Sequence, residues 1–128
     1  MRSLTYYPKP REKTVKFDSP YEEKLYKALQ KAEIPNIQPQ FAICGYYLDF
    51  AYIDEDCKID IEVDGKAYHT NLDGSRVRRD FQRNAVLERQ GWIVLRFWAS
   101  ELSSNMDECI DKIKATIKHA KNEKLLRK

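Results

Sequence analysis

The stretch YYLDFAYIDEDCKIDIEVDG, residues 46–65, decides the fold. It contains two runs that alternate apolar and polar residues, Tyr46 to Ile53 and Lys58 to Asp64, separated by the polar loop Asp54-Glu55-Asp56. Alternation with a period of two marks strands, and a short polar loop between two such runs reads as a hairpin. Gly65 stops the second strand. Parity then sorts the side chains, because successive residues of a strand face opposite ways. Leu48, Phe50 and Tyr52 are expected on one face, with Tyr47, Asp49 and Ala51 on the other. In the second strand Ile59, Ile61 and Val63 take the core face, while Asp60, Glu62 and Asp64 take the opposite one. Paired as a hairpin, the strands bring Asp49 beside Glu62 or Asp64. Neighbouring carboxylates repel unless a cation neutralises them, and a donor set of oxygens alone favours magnesium or manganese over zinc. A polar, solvent-facing side of the sheet accounts for the same acids. That account suits Asp60 and is poorer for Asp49, which stands among aromatic residues.

Outward from this hairpin the chain reads as α-β-β-β-α-β-α. Ser19-Pro20-Tyr21-Glu22 opens a helix, with Ser as N-cap, Pro at the first helical position and Glu completing a capping box. Leu25, Ala28, Leu29 and Ala32 form its apolar face, which ends before Pro35. Glu22 sits on the edge of that face and Glu23 points outward, so Glu22 can approach the sheet; its capping role explains it equally well. Gln38 to Ile43 reads as a strand, with Gly45 as the turn into the hairpin. Residues 66–74 are an irregular loop, and Ser75 to Gln90 is an arginine-rich helix closed by Gly91. Trp92 to Trp98 is apolar on both faces apart from Arg96, as a central strand covered on both sides should be. Arg96 is then a partner for a carboxylate, and both tryptophans belong to the core. From about Asn105 a helix carries Met106, Cys109, Ile110, Ile113 and Ile117 as its packing stripe. The predicted fold class is α/β: a mixed sheet flanked by helices. Residues 1–18 form a basic N-terminal arm, and 19–128 one domain that ends in the basic helix.

Composition narrows the function. At 128 residues the chain is one domain with a core large enough to fold without disulfides or a structural metal. A hydrophobic fraction of 42% excludes a disordered chain, and 34% charged residues with no long apolar run exclude a membrane-spanning one. The basic N-terminus lacks an apolar stretch and a cleavage site, so no secretion is expected. Cys44, Cys57 and Cys109 are widely spaced and lack a C-x-x-C pair, which predicts free thiols in a reducing cytoplasm and no zinc site. The net charge of +3 is segregated: residues 46–73 hold eight acids against Lys58 and Lys66, and residues 74–90 hold five arginines against Asp80 and Glu88. Such a pattern suits a protein that attracts a polyanion around a cation; ordinary solvated surfaces produce it too. Arg76, Arg79 and Arg83 share a narrow sector of their helix and can meet a phosphate backbone.

Read together, SPYEEKLYKAL (19–29), IQPQFAI (37–43), LDFAY (48–52), KIDIEVDGKAYH (58–69) and RRDFQRNAVLERQGWIVLRFWASEL (78–102) resemble the PD-(D/E)XK, or restriction-endonuclease-like, nuclease superfamily. The resemblance is to the branch related to very-short-patch-repair endonucleases. It implies an Mg2+-dependent nuclease, with Mn2+ as a substitute, acting on double- or single-stranded DNA. It makes Asp49 and Glu62 the metal-binding acids, the backbone carbonyl of Val63 a further ligand, and Glu22 the helical acid beside the metal. His69 matches a histidine near the reacting phosphate. Asp64 occupies the position of the superfamily's lysine, which leaves the general base open among His69, Lys66 and a metal-bound water. A non-catalytic nucleic-acid-binding module of the same fold, or an RNA-directed nuclease, fits the same residues. The reading also leaves room for a helicase-like or other delivery partner.

Overall fold

The computed structural model describes residues 16–65 and 75–126, with side chains from 81 onward in the second stretch. Ser19 caps α1 (Pro20–Lys31), its side chain accepting the Glu22 N–H at 3.3 Å. The Glu22 carboxylate reaches back to the N–H of Asp18, at 3.4 Å, one residue before the cap. Then follow β1 (Ile37–Ile43), β2 (Tyr46–Ile53), β3 (Lys58–Asp64), α2 (Ser75–Arg89) and β4 (Trp92–Trp98). The six-residue α3 (Ala99–Ser104) and the long α4 (Met106–Leu126) close the chain. The sequence reading lacked α3, which is too short to show a helical period. Its opening signal is Glu101, whose carboxylate takes the Trp98 N–H at 2.8 Å.

The sheet order is β1-β2-β3-β4, antiparallel at the first two junctions and parallel at the third. The expected mixed sheet between helices is therefore present. On one face Leu25 and Leu29 of α1, with Cys109, Ile110 and Ile113 of α4, pack on Phe50, Tyr52, Ile59, Ile61, Leu95 and Phe97. Phe17, the start of the described chain, joins this core through ring contacts with Tyr26 and Phe50. The remainder of the expected N-terminal arm, residues 1–15, lies outside the described residues. On the other face Leu87 of α2 packs with Leu48, Ala51 and Trp92. All three cysteines are free thiols.

Three expectations are corrected here. Leu48 does not share a face with Phe50: it packs under α2, whereas Phe50 packs under α1. The cause is a kink at one register position common to β1 and β2. Pairing runs from Ile37↔Tyr52 to Pro39↔Phe50 and resumes at Phe41↔Leu48, so Gln40 and Asp49 are passed over. Gln40 takes a left-handed φ of 53°, which swaps the alternation of β1 beyond it, and Leu48 of β2 lies on the same face as its partner Phe41. Asp60 is not on a solvated side of the sheet. Because α2 covers that face, Asp60 is wholly buried, at 0% exposure. Trp98 is not core; it ends β4 on the surface at 42% exposure, while Trp92 is buried as expected.

Candidate active site

The site is built where β2 parts from β3. Their pairing ends at Phe50↔Ile61, yet β3 continues alongside β4 to Asp64↔Trp98 and β2 continues alongside β1 to Tyr46. One more step along the β2–β3 register sets Asp49 opposite Glu62. In place of a backbone ladder, the side chains close this fork. The Asp49 carboxylate (Oδ2) accepts the Val63 N–H at 2.9 Å, and the Glu62 carboxylate (Oε2) accepts the Asp49 N–H at 3.4 Å. Asp49 is thus held between the strands, within reach of both faces of the sheet. From the α1 side comes Glu22, buried at 3% exposure. Asp18, Glu22 and Asp49 each offer a carboxylate oxygen within 4.8 Å of the others.

Crowded, poorly hydrated acids hold their protons. Burial, reinforced by the charge of Asp49, pushes Glu22 up to about 7. Burial and then the charge of Glu62 push Asp49 up to about 7 as well, against the opposing pull of the Val63 N–H. Glu62 lies still further above the ordinary carboxylate range because it is buried beside Asp60. Asp60 is raised chiefly by burial; a protonated Glu62 beside it is the strongest opposing influence, and among the described residues no N–H or hydroxyl donor meets either of its oxygens.

Two arginines answer this charge from the α2 side of the sheet. Arg83 pairs with Glu62 at 3.4 Å, and both side chains are largely buried. This places Arg83 away from the solvated, DNA-facing sector expected of it. Leu87, four residues on, is buried against the sheet, in keeping with an inward-facing Arg83. Arg96 stands opposite Glu62 in the parallel β3–β4 register. Its Nη1 donates to both oxygens of Asp64, at 2.9 and 2.8 Å, and its Nη2 to Asn84 at 3.2 Å. Asp64, at the position of the superfamily lysine, is therefore committed to an ion pair. His69, Lys66 and the side chains of Arg76 and Arg79 lie outside the described residues.

The structure thus sets Asp49 beside Glu62 and the Val63 N–H on one side and beside Glu22 and Asp18 on the other, with Glu62 outside the group of three acids whose oxygens all lie within 4.8 Å of one another. It adds Asp18, Gln40 and Asp60. Asp18 was legible only as the residue before a helix cap, and Gln40 as a polar residue in an apolar strand. Asp60 was visible but was assigned to solvent. Whether these residues suit a divalent cation follows from their chemistry. Asp49 and Glu62 supply hard oxygen donors, and the charge of Glu62 against Asp49 is what a cation would relieve. The donor set fits magnesium or manganese and contains no soft ligand.

Comparison with known proteins now has a geometry to meet. Residues 21–117 match the REase_MTES_1575 family, a restriction-endonuclease-like family. The chain belongs to this family, and so to the PD-(D/E)XK nuclease superfamily. It is 31% identical over 94 residues to the uncharacterized protein YcjD of Escherichia coli (strain K12), covering 72% of this chain and 74% of that protein. It is 27% identical over 79 residues to the type II nicking enzyme V.NmeDIP of Neisseria meningitidis serogroup C, covering 48% of this chain and 53% of the enzyme. Every described element from α1 to β4 lies within the family match or, like Pro20, at its border. Among the described residues no helix is long and apolar enough to cross a membrane.

Proposed function

We propose that this chain is a metal-dependent endonuclease that hydrolyses phosphodiester bonds in DNA, akin to the very-short-patch-repair branch. The observation that carries the reading is the β2–β3 fork, where Asp49 is fixed by the Val63 N–H with Glu62 beside it and Glu22 facing it from α1. Asp49 and Glu62 would hold Mg2+ or Mn2+, with the Val63 carbonyl as a further ligand and Glu22 helping to hold the cation or its water. The cation, when bound, supplies charge neutralisation on the phosphate and a lowered pKa for coordinated water.

The chain's own residues supply position and proton control. The Val63 N–H holds the Asp49 carboxylate, and the Asp49 N–H in turn donates to Glu62, so the carboxylate is positioned in advance for a cation. Glu22 is buried, and with a carboxyl raised to about 7 it exchanges a proton near neutral pH. That makes it suited to orient or relieve an attacking water. Arg96 locks Asp64 on both oxygens, so Asp64 acts in this reading as a prop for the end of β3 and not as the general base. His69 stays the candidate for proton transfer to or from the reacting phosphate. Arg76 and Arg79 are the proposed backbone contacts, and Arg83 serves Glu62.

The test is nicking of supercoiled plasmid by the parent and by Glu62→Gln, purified in parallel, in Mg2+, Mn2+ or chelator. Cation-dependent nicking by the parent alone is expected. Equal nicking by both proteins would place the chemistry elsewhere. Metal-independent DNA binding with no cleavage by the parent on duplex, single-stranded or RNA substrates would favour the binding module.

A further inference from the structure

Among the described residues, Glu33, Asn36, Gln40 and Cys44 are the non-glycine residues with left-handed backbone. Glu33, Asn36 and Cys44 lie in turns, where that conformation is routine. Gln40 lies inside β1, with φ 53°. A long side chain gains nothing locally from such a backbone, and strain of this sort persists only where surrounding structure imposes it, often beside a functional group. Gln40 occupies the register position facing Asp49, the one step at which β1 and β2 do not pair. Its side-chain amide crosses to α1 and donates from Nε2 to Oε1 of Glu22 at 3.1 Å. The Asp18 N–H goes to the same oxygen. Neither donor uses Oε2, so the carboxylate is pinned by one oxygen and presents the other.

We propose that Gln40 is a positioning residue for the acidic site, its strained backbone retained because it delivers an uncharged donor to Glu22 beside Asp49. The choice of amide matters chemically. A lysine or arginine there would bring a positive charge that competes with a cation, and a carboxylate would add repulsion to a crowded set. The amide fixes Glu22 and leaves the net charge of the site unchanged. Sequence alone could not assign this role, because nothing in IQPQFAI (37–43) marks its second glutamine, Gln40, as left-handed. The inference rests on the nuclease reading above.

The experiment uses the full chain with two substitutions. Gln40→Gly removes the donor and accepts the left-handed backbone without strain. Gln40→Asn tolerates the same backbone but is one methylene too short to reach Glu22. Thermal midpoints in chelator should be unchanged or raised for both. Mn2+ affinity, followed by the loss of free-ion EPR signal, and nicking rate should fall by about 10- to 100-fold, the usual cost of losing a partner that orients a metal-site ligand. In a Glu22→Gln background, Gln40→Gly should have no further effect on Mn2+ affinity. Lowered midpoints with both variants would show that β1 needs Gln40 for folding and would overturn the proposal. Parent-like Mn2+ binding and nicking by both variants would overturn it alone. A parent that neither binds Mn2+ nor nicks DNA would overturn the nuclease reading, and this proposal with it.

Discussion

Replacing Asp49 with Asn tests the electrostatics of the fork without disturbing its shape. The amide oxygen can still accept the Val63 N–H, now made to Oδ2 at 2.9 Å, and the new NH2 would face carboxylates instead of adding to them. Asp49 rises from 3.8 to about 7 in the folded protein, chiefly through burial and then through Glu62. A raised carboxyl contributes stability that is complete below its unfolded pKa and is lost as pH climbs through the folded one. The metal-free protein should therefore weaken between about pH 4 and pH 7. A shift of this size has a ceiling of about 4 kcal/mol at pH 8. Asp49 is only partly buried, so relaxation and screening should reduce that to about 2 kcal/mol. At pH 5, where the folded protein still holds the proton, the gain from Asp49→Asn should be under about 1 kcal/mol. Urea unfolding in chelator at both pH values, parent against variant, measures the difference. At pH 8 the thermal midpoint should rise by roughly 6–10 °C. Mg2+ should stabilise the parent and leave the variant unmoved. An equal gain at both pH values, or a loss at pH 8, would refute the repulsion argument.

Two further substitutions address the face under α2. Asp60→Val places a β-branched side chain at a buried strand position and removes two acceptors that lack donors among the described residues, so denaturant titration should show a gain of about 1–3 kcal/mol. A loss would mean that Asp60 is hydrogen-bonded in solution. Arg96→Met strips the donor from Asp64 and from Asn84 and should cost about 2 kcal/mol in urea unfolding at pH 7; Arg96→Lys should recover less than half, because an ammonium cannot span both partners. Full rescue by lysine would show that charge alone, and not the guanidinium fork, secures the end of β3.

Much of the architecture was legible because period and punctuation agreed. Ser19-Pro20 and Glu22 mark the start of α1, Gly91 the end of α2, and the two alternating runs define β2 and β3. What failed did so for identifiable reasons. Parity arguments assume unbroken alternation, and the paired break at Gln40 of β1 and Asp49 of β2 leaves Leu48 on the opposite face from Phe50 without any trace in residue type. Asp60 was misplaced because strict alternation suggests one wet face, whereas α2 lies over it. Arg83 shows the same effect from the helix side: its place on α2 is legible, but the sequence does not say whether it points out toward solvent or in toward Glu62. Strand pairing narrowed the partner of Asp49 to Glu62 or Asp64, and the observed register, with Phe50 opposite Ile61, selects Glu62. The fork that holds the two acids could not be read from the sequence, because its cause lies in where β2 and β3 stop pairing.

The two ends of this sheet treat the same side chain in opposite ways. At the hairpin end, Asp54 accepts N–H groups from Asp56 and Cys57 and the hydroxyl of Tyr52, while Lys121 of α4 approaches it. There an aspartate holds a turn together. At the forked end, Asp49, Asp60 and Glu62 lie against one another and strain the fold they sit in. A lineage drifting without need of chemistry would gain stability by neutralising the second group and lose it by touching the first. The same kind of carboxylate therefore carries opposite thermodynamic sign at the two ends of one short sheet: Asp54 stabilises the fold, and the crowded three cost it stability while no cation neutralises them.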